Sequence, residues 1–412
     1  MLCRPAILVC PAIYSVPALK RSTYLSLILI LGSLTALGPF TIDMYLPGFP
    51  AIAEDLGVDV EQVGLTLSSY FVGICVGQLL YGPLLDRFGR KKPLYIGLLL
   101  YIATSAGCVF STSLDSLIFL RFFQAVGSCA ATVAAMAMVR DLFPVHENAK
   151  VFALLMLVVG ASPMVAPTVG GYVTSSIGWH SVFTILAGMG ALMLLACILW
   201  LPDSFRPDTT LSLMPASIIR NFWSVWTVPQ FYTYALTGAV SFSALFTYVS
   251  GSPKVFMQVF HLSDKAYGWV FAALSVGFIG SSQVNTLLLK RFRSEQILPV
   301  ALTVMAVAGI VFVAGAKLEW LGLGGTIAVL TVMLCCLGFV NPNTAALCLA
   351  PFAKSAGTAS ALMGALQMGA GALASVFVSL FKENTAFPMA LWMAIPAVLS
   401  LLILMAGRRQ LR

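Results

Sequence analysis

Long stretches of this chain carry no charged side chain at all. Residues 25–31, 151–159 and 187–201 are apolar almost without interruption. Only 9% of the 412 residues are charged, 59% are hydrophobic, and mean hydropathy is +0.96. An ordinary soluble domain is about 25% charged, and 23 basic plus 15 acidic side chains cannot cover a body of 43.9 kDa. Disorder is excluded as well, because it requires low hydrophobicity. What remains is a chain that crosses a membrane many times.

In lipid only helices and closed barrels satisfy every backbone polar group. Barrel strands alternate apolar and polar residues over about 10 positions, whereas the runs here are continuous. The expected fold is therefore an all-α polytopic membrane protein. The apolar runs place passes at about 24–46, 61–85, 93–111, 115–140, 151–173 and 180–201, then at about 229–251, 266–289, 296–316, 321–343, 356–381 and 386–407. The longest polar interruption falls between the sixth and seventh. The expected organisation is a tail over 1–22, a six-helix bundle over 23–202, a cytoplasmic linker over 203–228 and a second six-helix bundle over 229–412. Residues 5–19 are apolar but too short to span, and Lys20 and Arg21 follow the run rather than precede it, unlike a signal peptide.

The basic residues set the orientation. With the N-terminus inside, eighteen fall in cytoplasmic segments, including Arg4, Lys20, Arg206, Arg220, Lys354 and Arg412. Only Lys254, Lys265, Lys317 and Lys382 fall outside, and Arg121 lies within a pass. This bias puts both termini in the cytoplasm and explains the net charge of +8 without a nucleic-acid partner. The first outer loop holds Glu54, Asp55, Asp59 and Glu61, which read as a solvated acidic loop. The nine cysteines show no metal-ligand spacing and read as small packing residues.

The two halves repeat. Leu84-Leu85-Asp86-Arg87-Phe88 corresponds, 204 positions on, to Leu288-Leu289-Lys290-Arg291-Phe292. Two related six-helix bundles, pseudo-symmetric about their interface, imply a transporter with its site between the halves near mid-membrane. No filter or ring of charge that would mark a channel is present in the sequence.

Asp43 is the one carboxylate well inside a predicted pass, and Arg121 the one well-embedded base. A charge at that depth costs several kcal/mol unless it is paired or faces a cavity. Both fall in the outer half of the membrane at similar depth, so an ion pair between them is expected. A static pair pinning two helices would use the same residues. Desolvation opposes the charged form of a carboxyl and a neighbouring guanidinium favours it, a balance suited to a group that gains and loses a proton.

The turn between the second and third passes contains Gly82, Asp86, Arg87, Gly89 and Arg90. Asp86 is expected to face the N-terminus of the eleventh pass, where negative charge is favoured. Arg90 is expected to pair with Asp141, so that these contacts latch the halves on the cytoplasmic side. In the fifth pass Pro163, Pro167, Gly170 and Gly171 make a kinked helix that neighbours can approach closely.

These motifs resemble those of the major facilitator superfamily. The segment from Gly82 to Lys92 is similar to its signature between passes two and three. Residues 120–127, Leu-Arg-Phe-Phe-Gln-Ala-Val-Gly, resemble the proton-linked motif of the fourth pass. Residues 163–171 resemble the antiporter motif of the fifth, with Ala166-Pro167 where Gly-Pro is usual. Thr41-Ile42-Asp43-Met44-Tyr45-Leu46-Pro47 and Ser250-Gly251-Ser252-Pro253 are similar to the Bcr/CflA branch of twelve-span drug:proton antiporters. The resemblance extends over nearly the whole chain after about residue 22. It implies the major facilitator fold, linkage of Asp43 and Arg121 to protonation, and export of compounds such as bicyclomycin, chloramphenicol or sulfonamides across the bacterial inner membrane.

The expected function is thus proton-coupled efflux of a small drug. The alternative is proton-coupled export of a native metabolite such as a sugar or amino acid. No P-loop supports ATP hydrolysis, no enzyme is expected, and neither cofactor nor metal is implied. The expected partners are drug, proton and lipid bilayer, with the chain acting as a monomer. Tyr70, Gln124, Tyr248, Asn341, Asn343 and Met363 are expected to line the substrate cavity. Each would serve as well in bonding helices together. The topology has a direct check. A reporter fused after Arg412 is expected to be active only in its cytoplasmic form, and periplasmic activity would sink the twelve-pass reading.

Overall fold

A computed structural model describes residues 21–143, 145–203, 207, 214–352, 356–381 and 385–411. Most of the expected tail, with Arg4 and Lys20, lies outside the described residues, as do Arg206, Lys354, Lys382 and Arg412. The first half comprises α1 (Arg21–Asp43), a 3-10 turn (Leu46–Gly48), short α2 (Phe49–Leu56), α3 (Val60–Phe88), α4 (Lys91–Val109), α5 (Leu114–Leu142), α6 (Val145–Ile177) and α7 (His180–Trp200). The second half is reached through α8 (Pro215–Trp226), which occupies the later part of the expected linker. It comprises α9 (Pro229–Pro253), a π turn (Lys254–Val259), α10 (Asp264–Leu288), α11 (Ser294–Lys317), α12 (Leu323–Leu349), α13 (Ala356–Ser379) and α14 (Phe387–Leu411).

Among the described residues twelve helices have 19 residues or more, and ten are long and apolar enough to cross a membrane. The other two long helices are α6 and α9. Hydroxyl side chains lower the hydropathy of α9, and several are satisfied locally. Thr237 Oγ1 donates to the Thr233 carbonyl at 2.7 Å and Ser243 Oγ to the Val240 carbonyl at 2.7 Å. Buried polar groups are tolerated once bonded.

Helix starts are fixed by short local bonds. The Asp59 N–H donates to Gln62 Oε1 at 2.9 Å where α3 begins, and Ser113 and Ser263 accept N–H bonds at the starts of α5 and α10. Without a hydrophobic force between helices in lipid, close packing depends on small residues. Gly127 of α5 illustrates this, since a β-carbon there would lie 2.6 Å from the Tyr101 backbone nitrogen of α4.

Within the first half α5 packs against α1, α3 and α4, and within the second α9 packs against α12, α13 and α14. The halves meet along two seams, α3 with α13 and α6 with α10. These are the second and eleventh long helices and the fifth and eighth. A two-fold operation exchanging the halves maps one seam onto the other, as a repeated sequence requires. One end of the bundle carries Arg87, Arg90, Lys91 and Lys92 and is called the basic end below.

Candidate functional site

Arg121 projects from α5 and is fully buried. Its Nη1 donates to Gln124 Oε1 at 2.7 Å and to the Thr41 carbonyl at 3.3 Å. Gln124 Nε2 in turn donates to Ser105 Oγ at 2.7 Å, and the Thr41 and Tyr101 hydroxyls lie 2.7 Å apart. The guanidinium carbon sits 4.5 Å from the Tyr45 ring centroid and 4.4 Å from that of Tyr70, within cation–π range. Those rings are held by hydroxyl bonds, Tyr45 to Thr66 at 2.9 Å and Tyr70 to Ser128 at 2.8 Å. Nε and Nη2 of Arg121 find no partner among the described residues.

The expected ion pair between Asp43 and Arg121 is not formed. Asp43 is the last residue of α1 and only 5% exposed, yet it makes no salt bridge among the described residues. The reason is helical geometry. Arg121 bonds the backbone at Thr41, and a side chain two residues further on points about 200° around the helix. Asp43 instead lies within electrostatic reach of Tyr248 on α9 and Tyr267 on α10. Tyr267 shares a 2.8 Å bond with Ser252. Tyr248 stacks on Phe271 at 5.2 Å, and its buried hydroxyl has no partner among the described residues. The end of α1 thus lies beside the turn that packs on α9 and α10, whereas the guanidinium lies inside the first half.

The fifth-pass motif builds the α6–α10 seam beside Asp43. Gly170 packs on the Met44 carbonyl, and a β-carbon at Gly171 would lie 2.7 Å from the Asp264 carbonyl. The Ser275 hydroxyl donates to the Pro163 carbonyl and the Thr168 hydroxyl to the Gly268 carbonyl, both at 3.5 Å. Pro167 lies on the same stretch, with its carbonyl against Gly268.

Away from the basic end the halves are closed on each other. Glu61 in the first turn of α3 forms an ion pair with Lys254 at the end of α9, with side chains 11% and 12% exposed. Lys254 also donates to the Phe381 carbonyl at 3.2 Å. Two turns further into the bundle, the hydroxyls of Ser68 and Ser250 each lie 2.7 Å from that of Ser375. Glu61 is thus a cross-half contact rather than part of a solvated loop.

At the basic end the halves diverge around a cavity of about 560 Å³ lined by α3, α5, α8 and α13. Arg90 donates to Asp141 Oδ2 at 2.8 Å, as expected, and also to Asp86 Oδ1 at 2.6 Å. All three belong to the first half, so they brace its own helices and do not latch the halves. Asp86 lines the same cavity as Gly357 and Thr358 of α13; Ser355 lies outside the described residues. Gly82 lines the cavity, Arg87 stands over the Phe88 ring, and Gly89 has φ +82°, which a glycine adopts without strain.

Of the six residues expected to line a cavity, Met363 does so. Tyr70 and Gln124 belong to the Arg121 cluster, and Tyr248 lies beside Asp43. Asn343 Nδ2 donates to Asn285 Oδ1 at 2.7 Å, and Asn341 Oδ1 accepts from Gln367 Nε2 at 3.1 Å, both within the second half. Polar groups inside apolar bundles favour bonded partners, which neighbouring helices supply to the Asn343 and Gln367 amide N–H groups, while Asn343 Oδ1 has no partner among the described residues. The residues that sequence reasoning missed are Glu61 with Lys254, the three serines, and the wall contributed by α8. Lys254 could have been flagged as one of the four lysines that the expected orientation places outside.

The profile of the Major Facilitator Superfamily matches residues 31–375. The chain is 31% identical over 383 residues to a bicyclomycin resistance protein homolog of Haemophilus influenzae, covering 93% of this chain and 96% of that protein. It is 28% identical over 385 residues to a chloramphenicol resistance protein of Pseudomonas aeruginosa, covering 90% and 88%. Among solved structures, a D-xylose-proton symporter superposes with a TM-score of 0.73 at 15% identity over 93% of this chain and 97% of that one. That likeness concerns the fold.

Arg121→Ala leaves the Gln124 and Thr41 oxygens without their donor, at a cost of about 1–3 kcal/mol. The expected result is a lower thermal midpoint, with Arg121→Lys recovering part of it because charge is retained but the planar fork is lost. An unchanged midpoint for Arg121→Ala would show that the cluster does not brace the first half.

Proposed function

This chain belongs to the major facilitator superfamily, and from that premise we propose that it is a proton-coupled antiporter that expels small drugs across the bacterial inner membrane. The observation carrying the reading is Asp43, a buried carboxyl that makes no salt bridge among the described residues, beside the turn that packs on α9 and α10 of the second half. Burying a carboxylate unpaired costs several kcal/mol, and burying the neutral acid costs far less. The two protonation states of Asp43 therefore favour different arrangements of the halves, which is what coupling transport to a proton requires. Drugs are the cargo suggested by the named relatives, one for bicyclomycin and one for chloramphenicol.

In this arrangement the ends joined by Glu61 and Lys254 face the periplasm and the cavity opens to the cytoplasm. Arg121 holds the first half rigid, so that a change at Asp43 moves one half against the other. The glycines and prolines of α6 let that seam slide without bulky side chains in the way. In the opposite arrangement Asp86 approaches the N-terminus of α13 and closes the cytoplasmic side.

Uphill export into inverted membrane vesicles tests the coupling. The parent is expected to accumulate chloramphenicol when a proton gradient is imposed. Asp43→Asn, a fixed mimic of the neutral acid, is expected to bind the drug yet lose accumulation. Gradient-driven accumulation by Asp43→Asn at the parental level overturns the reading. Asp86→Asn is expected to insert normally and turn over about tenfold more slowly; normal turnover would reduce that turn to a topology signal.

A further inference from the structure

The cavity at the basic end has a composition that selects among ligands. Its volume of about 560 Å³ falls within the range of drug-sized pockets. Four charged side chains line it, Asp86, Arg90, Arg140 and Asp141, and their formal charges cancel. Both acids are bonded to Arg90. Arg140 is exposed and has no ion-pair partner among the described residues. An organic cation entering this space would meet Arg140 and two carboxylates already bonded to Arg90, of which Asp86 keeps half of its side chain exposed. The remaining lining is neutral. Gln78, Thr132 and Ser360 offer hydrogen-bonding groups, and Met136 and Met363 offer thioethers that adapt to varied shapes.

The third wall comes from the segment between the halves. Ile218, Asn221 and Phe222 of α8 line the cavity, while Ile219 and Trp223 point away from it, each 64% exposed. One face of this short helix thus serves the cavity and the other carries aliphatic and indole groups suited to the lipid interface. Within the bundle α8 packs on α9 and α13, so it moves with the second half. The charged residues lie on the first half. A ligand here would touch both moving bodies.

We infer that this cavity is a binding vestibule for uncharged amphipathic molecules, with Phe222 of α8 and Arg140 of α5 as specificity determinants. The inference rests on the export reading and names the substrate class of that pathway. Phe222 supplies an apolar platform, and Arg140 disfavours organic cations by like-charge repulsion.

The test is equilibrium binding to the full-length purified protein, with chloramphenicol as the neutral probe and tetraphenylphosphonium as the cationic one. The parent is expected to bind chloramphenicol at least about tenfold more tightly than the cation. Arg140→Glu changes the lining by two charge units and is expected to shift that ratio about tenfold toward the cation. Phe222→Ala is expected to weaken chloramphenicol binding about fivefold or more, and Phe222→Leu to restore most of it. Equal binding of both probes by the parent, no binding of chloramphenicol, an unchanged ratio in Arg140→Glu, or parental affinity in Phe222→Ala would each overturn the inference. Binding needs no proton gradient. Expected affinities without gradient-driven export would sink the export reading alone, and export with an unchanged ratio in Arg140→Glu would sink this one alone.

Discussion

A guanidinium wholly withdrawn from solvent must be given partners, and the first half is arranged around that requirement. Arg121 draws α1, α4 and α5 together through Thr41, Ser105 and Gln124, and Tyr45 and Tyr70 close over it. The cluster fixes the rotation of α1 about its axis. That rotation leaves Asp43 without an ion pair to Arg121, at the end of α1 beside the turn that packs on the second half. In the proposed mechanism the base and the acid have separate duties: the base makes one half a rigid body, and the acid senses where the other half stands. Close pairing would have neutralised the acid inside a single half, where its protonation could not bear on the seam.

The proposed mechanism requires the two seams between the halves to move. In the α6–α10 seam backbone approaches backbone closely at Gly171 and Gly268, which remove side chains that would interlock there, while Gly170 lets α6 pack on the Met44 carbonyl of the first half. The α3–α13 seam is closed at one end by the Glu61–Lys254 pair and three serines and parted at the other by the cavity. Such polar contacts are exchangeable, because water can replace each of them once the end opens. A closure made of interdigitated aliphatic side chains would be harder to reverse.

Much of this was legible in the sequence, and the failures have physical causes. Long uncharged runs and turn chemistry predicted the helices, and the repeat predicted two halves. The Arg90–Asp141 bond was legible because both residues lie at the same end of adjacent helices. The Asp43–Arg121 pair was not, because depth in the membrane is readable from position but rotation is not. A helix that is apolar all round gives no periodicity from which to assign a face. The cavity residues misled for a related reason. An asparagine or tyrosine in an apolar helix signals a bond that must be made, and Asn285 can make it as well as a ligand can. The linker concealed α8 because its first part is polar and contains Pro207, so the amphipathic stretch from Pro215 onward was read with it. Glu61 was grouped with its acidic neighbours, and only the fold brings Lys254 to it.

The central claim is that the coupling proton resides on Asp43. Proton release on drug addition, followed with a pH indicator in weakly buffered detergent solution of the purified protein, addresses it most directly. The parent is expected to release protons as the drug binds, and Asp43→Asn to bind the drug with no release. Release from Asp43→Asn equal to that of the parent would place the proton on another group and contradict the account.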